Sequence, residues 1–269
     1  MSTFAATRGR LSSVPWFILI LALFVTAAVL LSPVYLVLRA AERSDTIWNE
    51  LTDETTIHAI GRTLWLTVTV TAASILIAVP AAWLTLRTDM PLRGVWTVTL
   101  ALPLAIPSFV GGFITVSALG PGGMLQDVLS PLGVERLPSL YGFKGAWLTM
   151  TFLSYPYVYL TVRAALRRAD PALEEASRSL GKSAVQTFLR INLPQLRPGI
   201  AAGALLLSLY CLSEFGAVSM LRYDTLTPLV YIQYTSSFDR SAAAVLGLPL
   251  IFLTVTFVLL EGLTRGRAR

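Results

Sequence analysis

One histidine, one cysteine and few charges leave little room for most kinds of protein chemistry. Charged residues fill 13% of the 269 positions, against about 25% in a soluble globular domain. His58 stands alone, which leaves no histidine cluster for a metal centre, and it is read as a surface residue of an outer loop and not as a ligand. Cys211 has no second cysteine to pair with, so an intrachain disulfide or a cysteine-built metal site is excluded. No G-x-x-x-x-G-K-[ST] stretch occurs, so the chain has no P-loop with which to hold ATP. Proline-rich linkers, low-complexity tracts and internal repeats are also missing.

Apolar residues dominate instead, at 55% of the chain. That balance places it among integral membrane proteins, and a net charge of +6 then reflects basic loops, not a nucleic-acid partner. A span needs about 20 apolar residues, because a helix rises about 1.5 Å per residue through a hydrocarbon layer about 30 Å thick. Six runs qualify: 16–38, 63–86, 95–118, 144–166, 198–219 and 241–262. The fourth is the least apolar. Its Ser154, Tyr155, Pro156 and Tyr157 predict a kinked or cavity-lining helix, not a lipid-facing one. The first run follows Arg8 and Arg10 as a signal peptide would. It is longer than an ordinary signal core and lacks a small-x-small cleavage site, so it is read as a retained helix.

With the N-terminus in the cytoplasm, the inner segments 1–15, 87–94, 163–197 and 263–269 hold 14 of the 21 basic residues, and the outer segments hold 9 of the 15 acidic ones. The positive-inside rule therefore predicts both termini in the cytoplasm. It makes 39–62 an outer polar loop with room for a short helix, and 119–143, with "GPGG" at 120–123, a second outer loop. Gly111 and Gly112 in the third run are read as helix-packing positions.

The segment 175–194, "EASRSLGKSAVQTFLRINLP", sits on the predicted inner side between two spans. Asp170-Pro171 predicts a helix start, since Asp caps free N–H groups and Pro suits the first turn. Residues 171–180 form one short helix, with Leu173, Ala176 and Leu180 near one face. Gly181 ends it in a left-handed turn. Ser183 caps a second helix over 184–192, with Val185, Phe188 and Leu189 on an apolar side, and Pro194 and Pro198 stop it. A solvated basic loop would explain the charge but not two capped helices with apolar sides. Such a finger needs a soluble protein to pack against.

The spacing Glu175-Ala176-Ser177, three residues, Gly181, nine residues, Ile191-x-Leu193-Pro194 resembles the EAA loop of binding-protein-dependent ABC importers, whose pattern has a second Ala where this chain has Ser177. The resemblance implies an all-α integral membrane protein with the type I ABC importer transmembrane fold, six transmembrane helices and a cytoplasmic coupling helix. It covers 60–262 as the permease module, leaving 1–59 as tail, first span and outer loop, and 263–269 as a basic cytoplasmic tail. It also implies partners: ABC ATPase subunits docking on Glu175, Ala176, Ser177, Gly181, Ile191, Leu193 and Pro194, an extracytoplasmic solute-binding protein, and a second permease module. That module is a second copy, a different permease, or the other half of a fused chain. No cofactor is implied on this chain, since ATP and its Mg belong to the ATPase. The location implied is a bacterial inner membrane.

Softer signals, "RTDMP" at 87–91, "LPLAIPSFVGG" at 102–112, "YPYVYL" at 155–160 and "LSEFGAVSML" at 212–221, resemble permeases of ferric-iron importers and their thiamine-transport relatives. Iron is the solute these favour; thiamine, polyamine and phosphonate are alternatives. Two other classes compete. An intramembrane enzyme needs a catalytic constellation inside the spans, and one His, one Cys and one intramembrane acid do not make one. A passive channel or ion-coupled carrier predicts several buried charges and no docking finger. Glu214 is the intramembrane acid. It either lines a translocation path near an outer gate, or reaches the interface or bonds a neighbouring helix. Tyr155, Tyr157 and Tyr159 line a pore or pack between helices, and Pro156 bends its helix for gating or for packing alone.

Overall fold

The computed structural model describes residues 16–43, 45–133, 136–236 and 240–266, with side chains as far as residue 262. The N-terminal tail 1–15 and residues 267–269 of the basic tail lie outside the described residues. Every regular element among them is helical. Hydrocarbon offers no partner for backbone N–H and C=O groups, and a helix answers each of them within one segment.

The long elements are α1 (Trp16–Ala41), α3 (Glu54–Arg87), α7 (Phe143–Arg168), α10 (Leu193–Ser213) and α13 (Arg240–Gly266). Shorter ones join them: α2 (Ile47–Leu51), α4 (Arg93–Ala101), α5 (Ser108–Leu119), α6 (Met124–Leu129), α8 (Pro171–Ser179), α9 (Ala184–Thr187), α11 (Gly216–Met220) and α12 (Leu226–Ser236). α3 has 34 residues and so runs about 51 Å, well beyond the hydrocarbon layer. Asp53 starts it, accepting the Thr55 N–H at 3.1 Å.

The core lies where α7 is packed between α3 and α10. Leu66 and Val70 of α3, Met150, Val158, Tyr159, Val162 and Leu166 of α7, and Leu196 and Leu207 of α10 are fully buried there. Two glycines set the α7–α10 distance. A Cβ on Gly203 would stand 2.8 Å from the Val158 Cα and 2.3 Å from Thr161 Oγ1, and one on Gly199 would stand 2.6 Å from the Ala165 Cβ. This is the small-x-x-x-small device of membrane helices, in which missing side chains let backbones touch. Gly111 follows the same logic against Leu153, and Gly112 against Met220 and Ala217, as their expected packing role requires.

Hydroxyl groups knit the same helices. Thr85 and Tyr159 are 3.2 Å apart, Thr71 and Ser208 3.2 Å, and Thr149 donates to Thr115 at 2.8 Å. Thr63 donates to the Ala59 carbonyl and accepts the Leu226 N–H at 3.0 Å, which ties α12 to α3. By contrast α1 buries only Ala40 and leans on α13.

Five helical stretches among the described residues are long and apolar enough to cross a membrane, and α7, at the fourth and least apolar run, is not among them. At 26 residues it has the length, but protein, not lipid, covers it, so its surface need not be apolar. The third run is no single helix: α4 passes into a tight turn at Leu102–Ala105, and α5 starts at Ser108. Pro103 and Pro107 lack donors, and Pro107 holds Ile106 extended. The fifth run ends at Ser213, so Glu214 lies in a break between α10 and α11, outside any helix. The 39–62 loop is largely helix, with His58 on the exposed first turns of α3, 3.5 Å from Glu54. α12 was not anticipated.

Gly203→Val should overpack the α7–α10 contact by about 1–3 kcal/mol. The expected outcome is a Tm several degrees lower for the detergent-purified protein, and a normal Tm would show that the helices can separate without loss.

Candidate functional site

The finger forms as its sequence dictates. Asp170 accepts the Ala172 N–H at 2.9 Å and Pro171 opens α8. At the other end of α8 the Gly181 N–H reaches the Arg178 carbonyl at 2.9 Å and the Lys182 N–H reaches the Ser177 carbonyl at 3.2 Å. This double closure needs a left-handed residue, and Gly181 supplies φ +79°. Ser183 then caps α9 in a full capping box: its Oγ accepts the Gln186 N–H, and Gln186 accepts the Ser183 N–H, both at 3.3 Å.

Pro194 and Pro198 do not stop the second helix. The helical path runs unbroken from Ala184 to Ser213. Residues 188–192 form one π turn, in which the Leu193 N–H reaches back five residues to Phe188. Pro194 follows in the first turn of α10, and Pro198 lies inside that helix. Transmembrane helices tolerate such prolines when local π adjustments absorb the missing bond.

Ser177, where the resembled pattern has Ala, is not idle. Its Oγ lies 2.9 Å from the Oγ1 of Thr187, a buried residue, so one hydrogen bond pins the two helices of the finger together. Leu173, Leu180, Val185 and Leu189 remain exposed, Leu180 at 80%. Hence the finger is braced from within and apolar outside. Glu175 and Ala176 are exposed beside these leucines, while Ile191 and Leu193 are half-buried at the base and Leu193 packs on the core. Phe188 departs from expectation. It turns inward onto Trp83, with ring centroids 5.2 Å apart.

The base holds residues the sequence reading missed. Arg87, the last residue of α3, donates through Nη2 to the carbonyls of Leu166 at 3.1 Å and Ala169 at 3.4 Å, both at the end of α7. Its Nε stands 3.3 Å from Glu174 Oε2 in the first turn of α8. The signal was available: Trp83 and Arg87 are one turn apart at the end of an apolar run, and Glu174 directly precedes Glu175.

The other residues singled out lie elsewhere. Glu214 is separated from Leu193 by the whole of α10, about 30 Å. It is 5% exposed, and its Oε1 accepts the Ala217 N–H at 2.9 Å. The Thr227 hydroxyl donates to its backbone carbonyl. The carboxylate therefore starts α11 from inside the protein and does not face open water. Tyr155 and Pro156 are buried within α7, Tyr155 in the central core. Tyr157 packs on Tyr210, at 5.3 Å between centroids, and Tyr159 bonds Thr85. The structure thus unites the finger residues with one another but not with Glu214.

Comparison with known proteins agrees with this geometry. The family described as "Binding-protein-dependent transport system inner membrane component" matches residues 74–268. Among curated proteins, the chain is 35% identical over 254 residues to the Fe(3+)-transport system permease protein FbpB 2 of Haemophilus influenzae, covering 94% of this chain and 47% of that protein. It is 30% identical over 183 residues to a probable sulfate transport system permease protein of Nephroselmis olivacea, covering 66% of this chain and 63% of that one. A probable molybdenum ABC transporter permease protein of Haloferax volcanii is 31% identical over 222 residues, with 82% and 80% covered. The chain thus spans about half the length of the iron relative and under two thirds of the sulfate one. Among solved structures, a chain of a bacterial alginate ABC transporter superposes with a TM-score of 0.74 at 19% identity, covering 91% of this chain and 92% of its own. A chain of the inward-facing MetNI methionine ABC transporter gives 0.61 at 16%, covering 77% and 92%. At such identities the likeness is one of fold, and the fold is the type I importer transmembrane fold.

Glu214→Ala removes the acceptor that starts α11 and leaves a buried N–H unanswered, a loss of about 1–3 kcal/mol. The expected result is a lower Tm for Glu214→Ala and a near-normal one for Glu214→Gln, which keeps an acceptor oxygen. Equal losses would assign the role to the charge and not to the hydrogen bond.

Proposed function

The chain belongs to the family of binding-protein-dependent transport system inner membrane components, and from that premise we propose that it is the transmembrane permease subunit of an ATP-driven solute importer. The carrying observation is the finger: two capped helices, braced through Ser177 and Thr187, that hold Leu173, Leu180, Val185 and Leu189 out toward a soluble partner. That partner is an ABC ATPase, which brings the ATP and Mg sites this chain lacks. A solute-binding protein delivers the solute at the opposite face, and a second permease module completes the path.

In this reading the permease performs no bond chemistry. Nucleotide binding draws the ATPase subunits together and moves the fingers. α7 and α10 are continuous with the finger and tilt with it, opening the path outward, and hydrolysis returns it. Partners shift the balance of two states by binding one better than the other.

Orientation follows from charge. The segments 1–15, 87–94, 163–197 and 263–269 hold 14 of the 21 basic residues, while the loops at the other face hold 9 of the 15 acidic ones. By the positive-inside rule this bias supports a cytoplasmic finger and two cytoplasmic termini in a bacterial inner-membrane protein. Ferric iron is the proposed solute, supported by the 35% identity to an iron permease over nearly the whole chain. The sulfate and molybdenum relatives favour an oxyanion as the second reading.

Two experiments test this. Cysteines at Asp45 and Ser130 should be labelled by an impermeant reagent from outside and one at Leu180 only after the membrane is opened; labelling of position 180 from outside would overturn the orientation. Gly181→Val meets no neighbour within 4 Å, so its penalty is backbone strain alone, about 1 kcal/mol or more. The permease should still insert at normal abundance, yet co-purify less ATPase and take up little solute. Normal co-purification together with normal uptake would overturn the docking role of the finger.

A further inference from the structure

We propose that Arg87 and Glu174 form a strap that makes α3 a third arm of the finger, and that both are positioning residues for transport; this rests on the permease reading above. The finger is joined covalently to α7 through Ala169 and Asp170, and to α10 through the π turn. α3 has no such bond, yet it is packed along α7 and supplies part of the central core. Whatever the finger does reaches α3 directly only through side chains.

Trp83 and Arg87 of α3 both make contacts across that gap at the base of the finger. Trp83 meets Phe188 at 5.2 Å, an apolar contact that holds two surfaces together while letting them slide. Arg87 is different in kind. Its planar guanidinium has donors in fixed directions. One nitrogen engages two carbonyls left free at the C-terminus of α7, where the helix dipole favours a cation. Another stands 3.3 Å from the Glu174 carboxylate, which lies in the first turn of α8, where the dipole favours an anion. A single group thereby ties α3 to the end of α7 by hydrogen bonds and to α8 by an ion pair.

Burial gives the strap its strength. The two side chains are 19% and 17% exposed, so solvent and salt screen the pair less than they would an exposed one. Glu174 is turned onto Arg87 of α3 and largely buried, whereas Leu173 and Leu180 are exposed. The strap and the docking surface are therefore separate faces of one short helix, and one can be altered without the other.

The test uses the assembled transporter in proteoliposomes. Glu174→Gln removes the charge, keeps the shape and leaves the two Arg87 carbonyl bonds in place; Arg87→Lys keeps the charge without the fork. Spin labels at Asp89 and Ala172 report the α3–finger distance with no need for solute. Loaded binding protein with radiolabelled ferric iron reports uptake per ATP hydrolysed. For Glu174→Gln we expect a broader distance distribution, unchanged co-purification of the ATPase, and uptake per ATP reduced about fivefold or more. Arg87→Lys should fall between it and the unmodified chain. A distance distribution and uptake ratio equal to the unmodified chain's would overturn the strap. Loss of ATPase co-purification on Glu174→Gln would also overturn it, by assigning Glu174 to the docking surface. If the unmodified chain holds no ATPase at all, the permease reading itself falls.

Discussion

Hydrocarbon accepts no hydrogen bonds, and almost every feature of this chain follows from that constraint. Backbone groups are answered by helices. Threonine hydroxyls inside them turn back onto carbonyls four residues earlier, as Thr63, Thr67 and Thr85 do. Where the helical ladder breaks, at Ile106–Pro107 and at Glu214–Phe215, the second break is met by the Glu214 side chain, which accepts the Ala217 N–H. Only beyond the apolar layer does the chain afford a polar, self-capped unit, and the finger is that unit.

Packing inside the layer cannot rely on the hydrophobic effect, because lipid is as apolar as leucine. Contact must come from close backbone approach. Gly199 and Gly203 provide it for α7 and α10, the two helices that flank the finger, and Gly111 and Gly112 for α5. The pair that would carry motion from the finger is thus also one whose backbones are in close contact. α1, which buries a single alanine, belongs to the lipid as much as to the protein.

The sequence revealed what local chemistry decides. Asp170-Pro171, Gly181 and Ser183 specify caps and a turn in a few consecutive residues, and the structure reproduces each. The apolar runs show where membrane helices lie, since lipid reads each one separately. Contacts between distant segments were hidden. Arg87 with Glu174, Trp83 with Phe188 and Ser177 with Thr187 depend on how three helices converge, which no single window contains. Prolines were the least readable. Pro103 and Pro107 break a helix while Pro194 and Pro198 do not, because a preceding π turn absorbs the donor missing at Pro194. The small-residue pair at 199 and 203 had the spacing of a packing motif, yet spacing alone does not say against which helix.

The π turn at 188–192 has a geometric consequence. An α-helix advances about 100° in azimuth per residue, so one extra residue in a turn resets the angular phase of everything before it relative to everything after. Val185 and Leu189 face the solvent, while Leu196 and Leu207, farther along the same rod, face the core. Deleting one residue between Phe188 and Asn192 would leave both helices intact and every cap in place. It would rotate the exposed face of the finger by about a quarter turn about the axis of α10. The insertion therefore acts as an indexing step: it decides toward which compass direction the rod presents its apolar edge, independently of how firmly that edge is built.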